Sequence, residues 1–420
     1  MSRGVPSRRT TVAVIGAGHS GLAVSHRLGA EGIDHVVLER GQVAHSWRTQ
    51  RWDSLRLLTP GWMNRLPGLA EPLLGPAEAD EFLSAAQVAS LVTGYADVIA
   101  APVHEGVEVH RVSPGQDGYL VETSAGPWSA EHVVLATGSV RGVVPALAAD
   151  LPPGLPSVHA IDYRRPSQLP PGGVLVVGAA ASGVQIAAEL QASGRPVTLA
   201  VGEHVRVPRR YRGRDIFAWI EEAGILDERW DELDDITRAR RLSSFQLVGG
   251  TTTLDLNTLQ EAGVRVVGKL AALRDGEALF SGSLANVAAL ADLKANRLLA
   301  GIDERFGGAG ERLEPTRVPE PLLSLSLTSG EIGSVVWATG IKPDHGFLDA
   351  DVFDRKGAIR HDGGITDLPG LYVTGLPVLR RRRSTYIDGA REDSADLVSH
   401  LSQRLAARPP SRLVLTQNHA

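Results

Sequence analysis

Two glycine clusters carry the clearest chemistry in this chain. Gly16-Ala17-Gly18-His19-Ser20-Gly21 spells G-x-G-x-x-G between a β-branched run at residues 11–15 and a helix-favouring stretch at 21–28. Gly16 permits a tight turn, Gly18 lets the backbone approach a pyrophosphate, and Gly21 lets helix and strand pack closely. The helix start adds N–H donors and a partial positive charge. Glu39 ends the next apolar run (35–38), about 20 residues on, where a ribose-hydroxyl ligand belongs. A carboxylate there suits FAD or NAD and disfavours a 2′-phosphate.

Gly178-Ala179-Ala180-Ala181-Ser182-Gly183 repeats the plan after residues 174–177, with Ala180 at the middle glycine position. The same offset that joins Gly16 to Glu39 here lands on Val201, followed by His204, Arg206, Arg209 and Arg210. An apolar residue trailed by arginines suits a 2′-phosphate, since guanidinium offers bidentate donors and a permanent charge. NADPH is expected here, with Arg206 the first candidate and Arg209 and Arg210 behind it.

The elements that position these loops form two β–α–β units, so the fold class expected is α/β with two Rossmann-like domains. A first domain is expected over 1–160 and 338–420. A second, over 161–337, is inserted in it and carries a helical insertion at about 209–250. Residues 103–109 and 119–123 read as a β-meander. Residues 282–302 read as a helix that buries Leu284, Val287, Leu290, Leu293 and Leu298.

Composition narrows the chemistry. The 420 residues include no cysteine, so there is no disulfide, thiolate metal site or cysteine nucleophile. Any redox chemistry belongs to a bound cofactor. The formal charge of −5 gives no general reason to bind nucleic acid or an anionic membrane. Histidines are scattered, so neither a metal site nor a Ser-His-Asp arrangement is expected. No apolar run reaches the roughly 20 residues of a membrane helix, and the run behind the N-terminus is too short for a signal peptide. A cytoplasmic enzyme, monomer or homodimer, is expected.

With these residues in place, the chain resembles the flavin-containing and Baeyer–Villiger monooxygenases. A bacterial group often labelled pyridine nucleotide-disulfide oxidoreductases looks nearest, although a chain without cysteine cannot perform that disulfide chemistry. The carriers are the two glycine loops, Glu39, Trp47-Arg48, Trp52 to Leu57 with Thr59-Pro60, and Leu66-Pro67-Gly68. Ala136-Thr137-Gly138, Ala338-Thr339-Gly340 and Gly375-Leu376-Pro377 complete them. The resemblance implies a glutathione-reductase-like two-domain flavoprotein. It implies FAD against Gly16, Gly18, His19, Ser20, Gly21, Glu39, Arg40, Trp47, Arg48, Val109, Thr137, Gly138, Gly375 and Leu376. It implies NADP against Gly178, Ala180, Ser182, Gly183, the three arginines, Thr339 and Gly340. Trp47, Trp52, Asp53 and Ser54 would line the flavin or substrate pocket.

The activity implied is NADPH-driven insertion of one oxygen atom from O2 into a small organic molecule, through a flavin C4a-(hydro)peroxide. The alternatives are an NADPH-dependent flavin reductase or oxidase, and an electron-transfer flavoprotein. The monooxygenase fingerprint F-x-G-x-x-x-H-x-x-x-[F/Y/W] keeps His159 and Tyr163 but has Pro153 and Leu155 at its Phe and Gly positions. The run Arg380 to Arg383 reads either as a solvated charge run or as an anion-binding segment. The closing helix, expected over 391–405, would point its N-terminus at the flavin.

Overall fold

The computed structural model describes residues 8–69, 80–242 and 244–407; the outer ends of the expected first domain, 1–7 and 408–420, lie outside them. In chain order, the first half supplies β1 (Arg8–Ile15), α1 (His19–Ala30), β2 (His35–Leu38), α2 (Ala85–Val98), β3 (Val103–His104), β4 (Val109–Gly115), β5 (Gly118–Thr123) and β6 (Trp128–Leu135). The second supplies β7 (Ser157–His159), β8 (Gly173–Val177), α3 (Ala181–Ala192), β9 (Val197–Val201), β10 (Arg265–Gly268), α4 (Leu284–Phe306) and β11 (Ile332–Trp337). The chain then returns with β12 (Leu371–Val373) and α5 (Gly389–Ala406).

The first sheet has parallel order β12-β6-β1-β2-β3, with β4 and β5 hung on β6 as an antiparallel meander. The second is wholly parallel, β10-β9-β8-β11-β7. Strands buried on both faces read as continuous apolar runs, and β8 (GVLVV) and β9 (VTLAV) are buried at every position. The two-Rossmann α/β class expected from the sequence is the observed one.

Four expectations change. The short strand β7 joins the second sheet through β11, just before the expected boundary at 160. Residues 103–109 split: β3 extends the parallel sheet beside β2, and the meander begins at Val109. In α4 the buried face is mostly an alanine stripe, Ala288, Ala291 and Ala295, continued by Leu299 and Ile302, while Leu290 and Leu293 are exposed. Small side chains let the helix lie close to its neighbours, so bulk was a poor guide to its phase. The segment 209–250 is only partly helical: a hairpin of Arg210–Tyr211 with Arg214–Asp215 precedes the helices Ile216–Glu222 and Ile236–Arg240.

Candidate active site

The two glycine loops have the same construction. Gly16 and Gly178 sit at φ +108° and +109°, where only glycine is unstrained, and a Cβ on either would meet the carbonyl oxygen of Ala136 or Ala338 at 2.6 or 2.4 Å. Gly21 and Gly183 press their helices onto those turns; a Cβ there would lie 2.0 and 1.8 Å from the oxygens of Gly16 and Gly178. The two Ala-Thr-Gly segments are therefore the floors of the two loops. Register agrees: Gly16 N–H donates to Leu38 O and Gly178 N–H to Ala200 O. That makes Val201 the structural counterpart of Glu39.

Helix α1 starts at Gly18, and α3 at Ala180, with no side-chain cap and no acidic residue in the first turn. Their first N–H groups are left for an anion. A Cβ on Gly18 would meet nothing within 4 Å. Glu39 is buried and fixed, accepting from Ala17 N–H and Gly41 N–H, both at 2.9 Å. His19 Nε2 and Thr137 Oγ1 are buried at the same loop without a partner. Burial pushes the His19 pKa down to about 4, so the ring is neutral. Open helix ends, unpartnered polar atoms and a fixed carboxylate fit the diphosphate and ribose of a dinucleotide such as FAD.

Both loops open into one cleft of about 1150 Å³ between the sheets. A site for a single drug-sized ligand spans roughly 300–1,000 Å³, so the volume exceeds one ligand's need. Its wall includes Gly16, Gly18, His19, Ser20, Glu39 and Arg40 on one side and Gly178, Ala180, Ser182, Thr339 and Gly340 on the other. Thr137, Gly138, Trp47, Trp52 and Gly375 lie between. At φ +73°, Gly375 brings the last loop against Ser20.

Other expected site residues are engaged in structural contacts. Arg48 turns away, donating to Val43 O and Thr93 Oγ1. Val109 and Leu376 pack on the core beneath the first sheet, outside the cleft lining. Asp53 and Ser54 latch the two halves instead: Asp53 pairs with Arg165 at 3.4 Å, and Ser54 Oγ donates to Glu189 of α3. Tyr163 OH donates to the same Glu189 at 2.7 Å. The arginines after β9 are the largest correction. Arg206 does line the cleft, but it is buried and its guanidinium is spent on Asp255, Asp292 and Glu314 O. Arg209 is fully buried, paired with Asp215 and stacked on Phe82 and Phe217. Arg210 is exposed, donates to Gly213 O and does not line the cleft. Arginines that follow a strand can serve the interior as readily as a phosphate, and spacing does not separate the two.

His159 is a positioning residue. Its Nδ1 accepts from Ile161 N–H at 3.2 Å, so the proton sits on Nε2, which donates to Gly340 O at 3.0 Å. Burial lowers its pKa and keeps that neutral form. The fingerprint histidine thus pins the floor of the second loop to β7.

The run Arg380 to Arg383 is neither solvated nor a phosphate clamp. Arg381 pairs with Asp393 and Asp396, Arg380 with Asp396, Arg382 with Glu228, and Arg383 with Glu221, Asp227 and Asp388. These pairs stitch the inserted segment to α5, and of the four only Arg382 lines the cleft. The residue capping α5 is Asp388, so a carboxylate already stands at that helix end. Sequence reasoning missed Gln50, Arg51, Lys294, Phe245 and Tyr386, all of which line the cleft. They come from four segments, and no motif joins them. Among the described residues no group of three or more potential ligands could hold a metal, and no helix is long and apolar enough to cross a membrane.

The chain matches the pyridine nucleotide-disulphide oxidoreductase family over residues 13–223 and belongs to it. It is an oxidoreductase, and without cysteine it has no thiol pair of its own to exchange. It is 29% identical over 394 residues to the CzcO-like oxidoreductase of Geobacillus kaustophilus, covering 93% of this chain and 97% of that one. It is 26% identical over 283 residues to the probable indole-3-pyruvate monooxygenase YUCCA4 of Arabidopsis thaliana, covering 63% and 66%. In fold it is similar to the flavin-containing monooxygenase from Stenotrophomonas maltophilia, with TM-score 0.66 at 19% identity over 95% and 99% of the two chains.

Proposed function

We propose that this protein is an FAD-dependent, NADPH-consuming monooxygenase that oxidises a small organic molecule with O2. The observation that carries the reading is one cleft reached by two dinucleotide loops of matched construction, which lets two cofactors meet. The monooxygenases among its relatives and fold neighbours support it. FAD belongs at the Gly16 loop, with Glu39 on the ribose, and the nicotinamide dinucleotide at the Gly178 loop. When bound, the flavin supplies hydride acceptance and oxygen activation. The chain orients both dinucleotides, keeps water from the cleft and holds His19 neutral beside the first phosphates.

The phosphate assignment moves from the arginines to Lys294. This lysine of α4 lines the cleft near His204 and makes no ion pair among the described residues. Lys294→Ala is expected to weaken NADPH about tenfold, the scale of one charge-assisted contact, and to leave NADH unchanged. Arg210→Ala is expected to change neither. Steady-state KM values for the two nucleotides check this; an unchanged NADPH preference in Lys294→Ala contradicts it.

The function is tested by turning over a panel of amines, sulfides, ketones and indolic acids with NADPH under ¹⁸O2. Label in a product at one atom per NADPH oxidised is expected. NADPH electrons appearing only as peroxide across the panel would overturn the reading.

A further inference from the structure

Arg51 sits two residues beyond the short helix His45–Thr49, between Trp47 and Trp52, on the segment that bridges the two halves. It lines the cleft, and its guanidinium lies 4.8 Å from the centre of the Trp47 ring. Its one hydrogen bond among the described residues runs from Nη1 to Gln50 O at 2.8 Å, and it pairs with no carboxylate there. The charge that acts on it is another cation, Arg164, whose donors go to the carbonyls of Thr49, Ile161 and Tyr163. Beside it, Gln50 fastens the segment to the loop after Gly138 by donating to Val140 O, while its own Oε1 is buried without a partner.

Most buried arginines here are matched by carboxylates; Arg206, Arg209, Arg380 and Arg383 are examples. Arg51, partly buried in the cleft wall, has no such carboxylate among the described residues; Arg240, also in the wall, donates to Val378 O. Burial and the like charge of Arg164 pull its pKa down to about 10, which leaves it charged at neutral pH. A partly desolvated cation without a carboxylate is costly unless an anion arrives. The cofactor diphosphates already have their own donors, the open starts of α1 and α3. Arg51 belongs to neither loop.

We propose that Arg51 anchors a carboxylate of the substrate, so that the enzyme takes organic acids rather than neutral molecules. The guanidinium would grip the carboxylate with paired N–H donors while Trp47 holds its outer face. This rests on the monooxygenase reading for the word substrate only; the site itself is read by binding.

The test titrates FAD-loaded protein, by calorimetry, with benzoate and indole-3-acetate against benzamide and indole-3-acetamide. Each acid is expected to bind about tenfold tighter than its amide, the scale of a charge-assisted pair. Arg51→Gln is expected to erase that preference while NADPH affinity stays at the wild-type value. Arg51→Lys keeps the charge without the fork, so part of the preference survives; it decides the matter if Arg51→Gln fails to retain FAD. Equal affinities for acid and amide, or no binding by either, overturn the proposal. A parallel fall in NADPH affinity in Arg51→Gln also overturns it, since the cation then serves a dinucleotide phosphate. Failure of the oxygen chemistry would appear in the ¹⁸O2 experiment and leave these titrations untouched.

Discussion

Gly21→Ala is expected to destabilise the apoprotein by about 3 kcal/mol, the upper end of the overpacking range, whereas Gly18→Ala leaves apoprotein stability at the wild-type value and weakens FAD binding. The two glycines lie three residues apart in one motif, yet they meet different constraints. A Cβ at Gly21 would stand 2.0 Å from the backbone oxygen of Gly16, which is itself held by the Ala136 floor. Backbone cannot move aside as a side-chain tip can. A Cβ at Gly18 points into open space, and its φ of −80° suits any residue. What it displaces is the phosphate. The second loop shows that the backbone tolerates alanine there, because Ala180 holds the same shape at φ −78°. FAD affinity in Gly18→Ala should fall about tenfold, or 1.4 kcal/mol. Melting of apoprotein and fluorescence titration with FAD separate the two effects; equal stability loss in both variants would contradict the geometry.

Arg383→Ala is expected to be the most damaging change outside the cleft, costing about 3–5 kcal/mol, the range for removing one partner of a buried ion pair. Arg383 and Asp388 are both buried, and the arginine links Asp388 to Glu221 and Asp227 of the inserted segment. The loss should depend on pH with a definite sign. Burial already raises the Asp388 pKa to about 6, with Arg383 opposing that rise. Without Arg383 the carboxyl rises further. A carboxyl whose folded pKa exceeds its unfolded value destabilises the fold fully above the folded pKa, and the penalty fades as pH falls toward the unfolded value near 4. The stability gap between wild type and Arg383→Ala should therefore be widest at pH 8 and narrow at pH 5. Urea melts at both values measure it; a gap that widens on acidification contradicts the pairing.

The two glycines were legible in the sequence and Arg383 was not. The loops were legible because glycine positions are dictated by local backbone geometry, which travels with the chain. The strands β1, β2, β8 and β9 were legible because burial on both faces leaves unbroken apolar runs. Arginine was not legible. Arg206, Arg209 and Arg383 look in sequence like surface or phosphate-binding charge, and each is committed to aspartates or glutamates up to 162 positions distant. Arg51 attracted no notice because its distinction is the lack of a partner, which only the folded chain reveals. The leucines of α4 misled for a related reason: the helix packs by its alanines, and Leu290 and Leu293 face outward.

The proposed function requires that two dinucleotides share one cleft and pass electrons to oxygen there. Double-mixing stopped flow tests it most directly. FAD-loaded protein is first mixed with NADPH without oxygen, and the flavin absorbance should bleach. Oxygenated buffer is then added. A delay before the oxidised flavin spectrum returns, with peroxide released no faster than that return, is the predicted result. Failure of NADPH to bleach the flavin, or immediate recovery with stoichiometric peroxide, would contradict the account.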